Sequence, residues 1–263
     1  MATPHMSALI KETVESGVEP LTTLISPVRR CMSREIYAFR TIRQINSVQL
    51  GVLRPSQYRI VCDRTRQSVR LALSDLEAAI KLAKQMESDE VEFSWISVYL
   101  PIKMLKRKNH LSSLENLVKE YNKPQKICLE LSSDILFEDL DNLQPLLNDI
   151  KLLGFKIGLS AFGGDFCPMS RMYGLNADIC FFEPSVATKC ETSLGNRLAG
   201  QITAFVKSAG CEPVACVPGT MPKSAKPDEY SKAGFAGFTS SDEDMGEWYT
   251  YGDFRDKSRG EGL

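Results

Sequence analysis

The chain has 263 residues, 43% of them hydrophobic and 25% charged, with a formal net charge of −1 at pH 7. That composition suits one large globular domain with a sizeable core, and the balanced charge creates no field that would favour nucleic acid or an anionic membrane as a partner. No apolar run approaches the roughly 18 residues that a membrane span needs, and Lys11, Glu12, Glu15 and Glu19 interrupt any apolar core of a secretory signal.

The eight cysteines never form a CxxC pair, and only two histidines could complete a zinc site. Cys128, Cys180 and Cys216 sit inside apolar runs, where a thiol behaves as a small hydrophobe. Buried, reduced cysteines are therefore expected, with neither disulfides nor metal, and a cytoplasmic location follows.

In chain order, residues 1–20 read as an N-terminal extension. Residues 22–27 and 35–42 read as two strands joined tightly, hence antiparallel. Asp63, Arg64, Arg66 and Arg70 read as surface charges on a helix. Ser74 with Glu77 forms a capping box ahead of Leu76, Ile80 and Ala83, which predicts a helix beginning there. A β-rich run over 93–99 stops at Pro101, followed by the basic residues Lys103, Lys106, Arg107 and Lys108.

A helix over 111–121 and a buried strand over 127–131 come next. Leu143, Leu146, Leu147, Ile150 and Leu153 fall at helical spacing, with Gly154 at the C-terminal cap. Strands over 156–160 and 178–182 flank a loop holding Gly163 and Gly164. Leu194, Leu198, Ile202, Phe205 and Val206 mark an amphipathic helix closed by Gly210. Strands over 213–217 and 235–238, with a short helix over 228–233 between them, complete the series. About eight strands, mostly alternating with helices, predict an α/β fold of the TIM-like (β/α)8 type with one antiparallel strand, spanning 21–240.

Sites in such barrels form at the C-terminal ends of the strands. The residues expected there are Tyr37, Tyr99, Glu130, Ser160, Phe181, Phe182, Glu183 and Cys216. No histidine lies at a strand end, no Ser/His/acid set can be assembled, and Gly163-Gly164 alone is a weak phosphate-loop signal.

The order of segments resembles the EAL family of cyclic di-GMP phosphodiesterases. Ile25-Ser26-Pro27-Val28 is similar to its opening QPI strand, and Tyr37-Ala38-Phe39 stands at the Glu-Ala-Leu signature. Gly51 with Arg54-Pro55-Ser56-Gln57-Tyr58 resembles a G-x-x-x-P-x-x-F turn into a helix, and Val98-Tyr99-Leu100-Pro101 the V-N-L-S strand. Leu129-Glu130-Leu131-Ser132-Ser133 stands at L-E-x-T-E, and Ile157-Gly158-Leu159-Ser160-Ala161-Phe162-Gly163 at I-A-L-D-D-F-G. The segment from Ala177 to Glu183 stands at V-D-x-L-K-I-D, Val214 to Gly219 at V-A-E-G-V-E, and Gly234 to Phe238 at the closing G-x-x-x-Q-G-Y strand.

The resemblance implies a phosphodiesterase centre with two divalent ions, built chiefly on carboxylates. Here the signature glutamate would be Tyr37, the asparagine Tyr99, the paired aspartates Ser160 and Ala161, the lysine Phe181 and the late glutamate Cys216. Glu130 remains, and Glu183 replaces an aspartate. The family's phosphate-binding arginine, two residues past the signature leucine, would be Thr41, and alternation in a strand turns Arg40 to the opposite face. The expectation is therefore a degenerate member with no catalytic residues, no metal and no cofactor. It would be a regulator acting through an unknown protein partner, with cyclic di-GMP not expected as a ligand. The alternatives are a cyclic di-GMP receptor without turnover and a residual phosphodiesterase.

Two readings stand for Tyr37, Tyr99, Phe162, Phe181 and Phe182: core filling, or an aromatic pocket at the mouth. Glu130 is expected to pair with a nearby lysine, and the run from Lys103 to Lys108 to form a solvated loop over the mouth. Family barrels often pair through helices beside the fifth and sixth strands, so a homodimer is open. The acidic, aromatic tail over 241–263 is expected to begin with a short helix. Residues 242–254 should pack on the barrel through Trp248, Tyr251 and Phe254, with 255–263 mobile.

Overall fold

The structure, a computed structural model, describes residues 8, 10, 12, 21–64, 67–106, 110–164, 167–218, 225–241 and 246–261. Nine strands run β1 (Leu21–Arg30), β2 (Ile36–Ser47), β3 (Gly51–Leu53), β4 (Ile96–Tyr99), β5 (Ile127–Ser132), β6 (Lys156–Phe162), β7 (Ile179–Phe182), β8 (Glu212–Val217) and β9 (Gly237–Ser240). Eight of them close a barrel in the order β1-β9-β8-β7-β6-β5-β4-β2, with β2 returning to β1. β1 is antiparallel to both neighbours, and all other barrel pairs are parallel. The expected barrel with its antiparallel strand is the observed one. β3 is an addition, an outer ribbon antiparallel to β2 where the sequence suggested only a turn.

Strand alternation divides each strand between the barrel interior and the helix layer. Register carries that parity around the barrel through Ser26↔Arg40, Arg40↔Ser97, Ser97↔Cys128, Tyr99↔Glu130, Glu130↔Gly158, Gly158↔Ile179, Phe181↔Val214 and Cys216↔Thr239. The interior is tight, and two glycines are small for a stated reason. A Cβ at Gly158 would stand 2.9 Å from Cys128 Sγ and 3.1 Å from the Phe181 ring. One at Gly237 would stand 2.6 Å from Tyr37 Oη.

The outer faces of the strands pack under helices. The helix Ser68–Ser88 buries Leu71, Ala72, Leu76, Ala79, Ile80, Leu82, Ala83 and Met86, a face repeating every three or four residues. It starts one and a half turns before the expected capping box. Ser74 lies inside it and accepts from Arg43 through both its carbonyl and its hydroxyl. The helix Ser193–Ser208 buries Ala199, Thr203 and Val206, whereas Leu194, Leu198 and Phe205 face solvent. Its small residues allow close approach to the barrel, so the larger apolar stripe points outward.

Within the N-terminal extension, Ile10 is fully buried beside Ile45, Leu53, Tyr58 and Leu71. The tail also docks. Tyr249 forms a β-bridge with Ile25, Trp248 Nε1 donates to the Ser241 carbonyl, and Phe254 meets Phe39 edge-to-face at 5.2 Å. Two corrections concern this tail. The last helix is Tyr251–Glu261, so 255–261 is ordered helix rather than mobile chain. The short helix expected from 242 to about 249 is not formed over 246–250, which is not helical, and 242–245 lie outside the described residues.

All eight cysteines are free, and seven are buried, with Cys167 half-buried. Burial pushes Cys31 up to about 12, Cys62 up to about 12 and Cys190 up to about 11, so these thiols stay protonated. Thiol titration of the folded protein at pH 8 is expected to label Cys167 first and the buried seven only on unfolding. Rapid labelling of Cys31 or Cys128 would contradict this packing. In urea, Phe254→Ala should cost about 3 kcal/mol by emptying the pocket over Phe39. A loss under about 1 kcal/mol would show that the tail adds nothing to the core.

Candidate functional site

The interior polar groups converge at one depth. Arg40 of β2 donates through Nε to Glu130 Oε2 at 3.0 Å and through a second nitrogen to Glu130 Oε1, a fork on both carboxylate oxygens. Ser97 Oγ adds a hydrogen bond to Oε2 at 3.0 Å. The remaining guanidinium edge faces Cys216 Sγ at 3.6 Å and the Ser240 carbonyl at 3.4 Å. The Phe181 ring lies 4.7 Å below the guanidinium carbon. Arg40 and Glu130 are each 3% exposed. The expected partner of Glu130, a lysine, is thus Arg40.

Strand parity explains why sequence reading missed it. The inward face of β2 is Ala38, Arg40 and Ile42, so Thr41 points outward and donates to the Ser97 carbonyl at 2.7 Å. Tyr37 does not reach the mouth either. A register shift in the β1–β2 ladder, between Val28 and Arg29, leaves Tyr37 without a cross-strand partner. It turns to the barrel floor, where its hydroxyl donates to Glu212 and Arg30 lies 3.5 Å over its ring. Burial, with the Glu212 charge second, pushes its pKa up.

The other expected residues fall in different places. Tyr99 lies under the Arg59 guanidinium at 4.0 Å, and burial raises its pKa. Ser160 reaches the Leu131 carbonyl at 3.4 Å, and Ala161 after it adopts φ of 55°, an uncommon conformation for a residue with a Cβ. Glu183 follows β7 and is the N-cap residue of the helix Pro184–Lys189. Phe162 and Phe182 pack against each other in the helix layer, and Phe181 fills the interior. Core filling accounts for these three phenylalanines. Of the basic run, Lys103 donates to the Asp63 carbonyl and Lys106 pairs with Glu138, whereas Arg107 and Lys108 lie outside the described residues.

These residues do not fit the divalent centre that the fold implies. Mg²⁺ takes hard oxygen ligands, and a guanidinium already holds both oxygens of Glu130. Among the described residues no group of three or more His, Cys, Asp or Glu side chains converges. No described helix is long and apolar enough to cross a membrane.

A closed barrel with one antiparallel strand and a polar cluster at mid-depth defines the class. The EAL domain model matches residues 21–216, and the chain belongs to that family. No curated protein sequence matches it. Among solved structures, an EAL enzyme in a cAMP- and cyclic di-GMP-bound form has a TM-score of 0.76 at 14% identity over 89% of this chain. This chain spans 64% of that enzyme's length. An EAL domain protein from Listeria monocytogenes has a TM-score of 0.77 at 17% identity, covering 98% of this chain and 99% of that one. The FimX EAL domain from Pseudomonas aeruginosa, bound to cyclic di-GMP, has a TM-score of 0.70 at 12% identity, covering 89% of this chain and 92% of that one.

These structures overturn one expectation. EAL domains of this fold are solved with cyclic di-GMP bound, which contradicts the expectation that the dinucleotide is not a ligand. That expectation rested on Thr41 at an arginine position. Thr41 lies on the outward face of β2, so its identity says nothing about a ligand in the barrel.

The ion pair has a measurable signature. Removing one partner strands a buried charge, which costs about 3–5 kcal/mol, whereas replacing both with apolar side chains is often neutral. Arg40→Met should therefore destabilise strongly in urea, and Arg40→Met with Glu130→Leu should recover most of the loss. Additive losses in the double variant would show that the pair is not coupled.

Proposed function

We propose that this chain is a regulatory EAL-domain protein that acts by binding and does not turn over a phosphodiester. The carrying observation is the fork of Arg40 on Glu130, which sets a fixed positive charge beside the carboxylate that a cation would need. The interior neighbours Ser97, Phe181, Cys216 and Thr239 supply no further carboxylate. Its work would then be recognition, of a protein partner or of a cyclic dinucleotide.

Each form of recognition has a specific support. For a protein partner it is the apolar stripe Leu194, Leu198 and Phe205, exposed along one side of the helix Ser193–Ser208. For a cyclic di-GMP receptor without turnover it is the fold shared with EAL domains solved with that dinucleotide.

Calorimetry with cyclic di-GMP, followed by chromatography of the mixture after incubation with Mg²⁺ or Mn²⁺, tests the reading. The expected result is no linear dinucleotide above the buffer control. Heat of binding without product would favour the receptor form, and neither heat nor product the protein-partner form. Turnover that Glu130→Ala abolishes would overturn the proposal.

A further inference from the structure

The helix Ser193–Ser208 buries Ala199, Thr203 and Val206 and leaves its larger apolar side exposed. Leu194 is 61%, Leu198 57% and Phe205 40% exposed. At about 100° per residue these three side chains leave the helix within roughly 40° of one another, so they form one ridge. The ridge runs for about 16 Å. Ile202 beside it is half-buried against the core and fixes the ridge to the barrel. Clustered exposed apolar side chains on a firm support mark interaction surfaces, whereas scattered single ones do not.

The charges around the ridge are of one sign. The helix carries Arg197 and Lys207 and no acidic residue. Arg197 projects about 60° to one side of Leu194, and Lys207 lies further round on that side, with its ammonium near Gly234. Lys189 ends the preceding helix, Pro184–Lys189, and its carbonyl meets the first turn closely, since a Cβ on Gly195 would stand 2.1 Å from that oxygen. All three cations are exposed, and among the described residues none has an ion-pair partner. The neighbouring carboxylates are taken, Glu191 by Lys226 at 2.7 Å and Glu229 by Lys232 at 2.9 Å. In a chain of net charge −1, this is a local excess of positive charge beside an apolar seam.

Apolar seams select partners through the charges that flank them. A second copy of this chain would bring the same cations to the seam, and its helix has no carboxylate to meet them. The ridge is also small: three such side chains offer on the order of 300 Å² of apolar surface, against about 800 Å² per partner in a stable interface. A lipid surface requires a broad apolar face that enters the headgroup region, whereas here only the ridge projects and the opposite side of the helix is fastened to the barrel. A single helix with its own apolar stripe and acidic flanks meets both the shape and the charge.

On the protein-partner form of the function above, on which this inference rests, we propose that the ridge of Ser193–Ser208 docks an amphipathic, acidic helix of a partner protein. Leu194, Leu198 and Phe205 anchor the apolar stripe of the incoming helix, and Lys189 and Arg197 face its carboxylates. A contact of this size makes a transient complex, quick to form and weakened by salt.

Fluorescence anisotropy with a stapled helical peptide of about 18 residues, leucine at positions a and d and glutamate at e and g, tests the surface. At low salt it should bind with a dissociation constant of about 200 μM or below, and a peptide with lysine in place of glutamate should bind at least about tenfold more weakly. Lys189→Glu with Arg197→Glu should reverse that order. Leu198→Ser with Phe205→Ser should abolish binding of the glutamate peptide at an unchanged melting temperature. The protein alone should sediment as a monomer and should not float with phosphatidylglycerol vesicles. No binding of the glutamate peptide, equal affinity for the two peptides, or binding that survives loss of Leu198 and Phe205 would overturn the proposal. So would a dimer that Phe205→Ser dissolves, or flotation that Arg197→Glu removes. Turnover is a separate readout: product from cyclic di-GMP would sink the non-catalytic reading and leave these binding outcomes as they stand.

Discussion

One guanidinium organises the centre of this barrel. Arg40 leaves β2, crosses past β4 and forks onto Glu130 of β5, while its other edge meets Cys216 of β8 and the Ser240 carbonyl of β9. Four strands thereby share one charged group that water does not reach. Burying such a pair is expensive, and it is tolerated only when geometry and extra hydrogen bonds satisfy the charges. Ser97 supplies one such bond, and the flat Phe181 face supplies a cation–π contact. The interior around it is correspondingly small: Gly158 makes room for Phe181, and Ser26 and Thr239 pair with each other beside the cluster.

The architecture was legible because it depends on coarse signals. Strand and helix runs alternate from residue 70 onward, and the antiparallel start shows in the short connection between β1 and β2. The site was less legible because it depends on parity within one strand. A strand shifted by a single residue exchanges its two faces, and the irregularity near Tyr37 is such a shift. A usable signal did exist. A lone arginine and a lone glutamate, each inside a run otherwise apolar enough to be buried, are best explained by each other. Helix faces failed for a different reason. Apolar spacing in Ser193–Ser208 was correctly helical, but size did not say which side faced the barrel, and the small side of Ala199 and Thr203 does.

The two ends of the barrel are furnished differently. At the floor, ion pairs and rings are matched: Arg30 lies over Tyr37 and pairs with Glu212, and Arg29 pairs with Glu247. Near the C-terminal strand ends, the Gln67 side chain does not cap the helix Ser68–Ser88, and Tyr99 lies under the Arg59 guanidinium. Conservation of stability at one end and openness to ligands at the other is the general division of labour in this architecture.

The position of β1 governs when this molecule can exist as a barrel. β1 lies between β2 and β9, and Arg29 aligns with Phe238, so the first strand is flanked by one near neighbour and one from the far end of the chain. The Ile25–Tyr249 bridge then fastens the same strand to residues beyond β9. A nascent chain emerging from the ribosome must carry β1 with one edge open until β9 is available. Closure must wait for β9, a pairing across more than 200 residues of the kind that slows folding. During that interval the open edge of β1 offers backbone groups to any passing strand, which makes the nascent chain, far more than the finished barrel, the form at risk of aggregation.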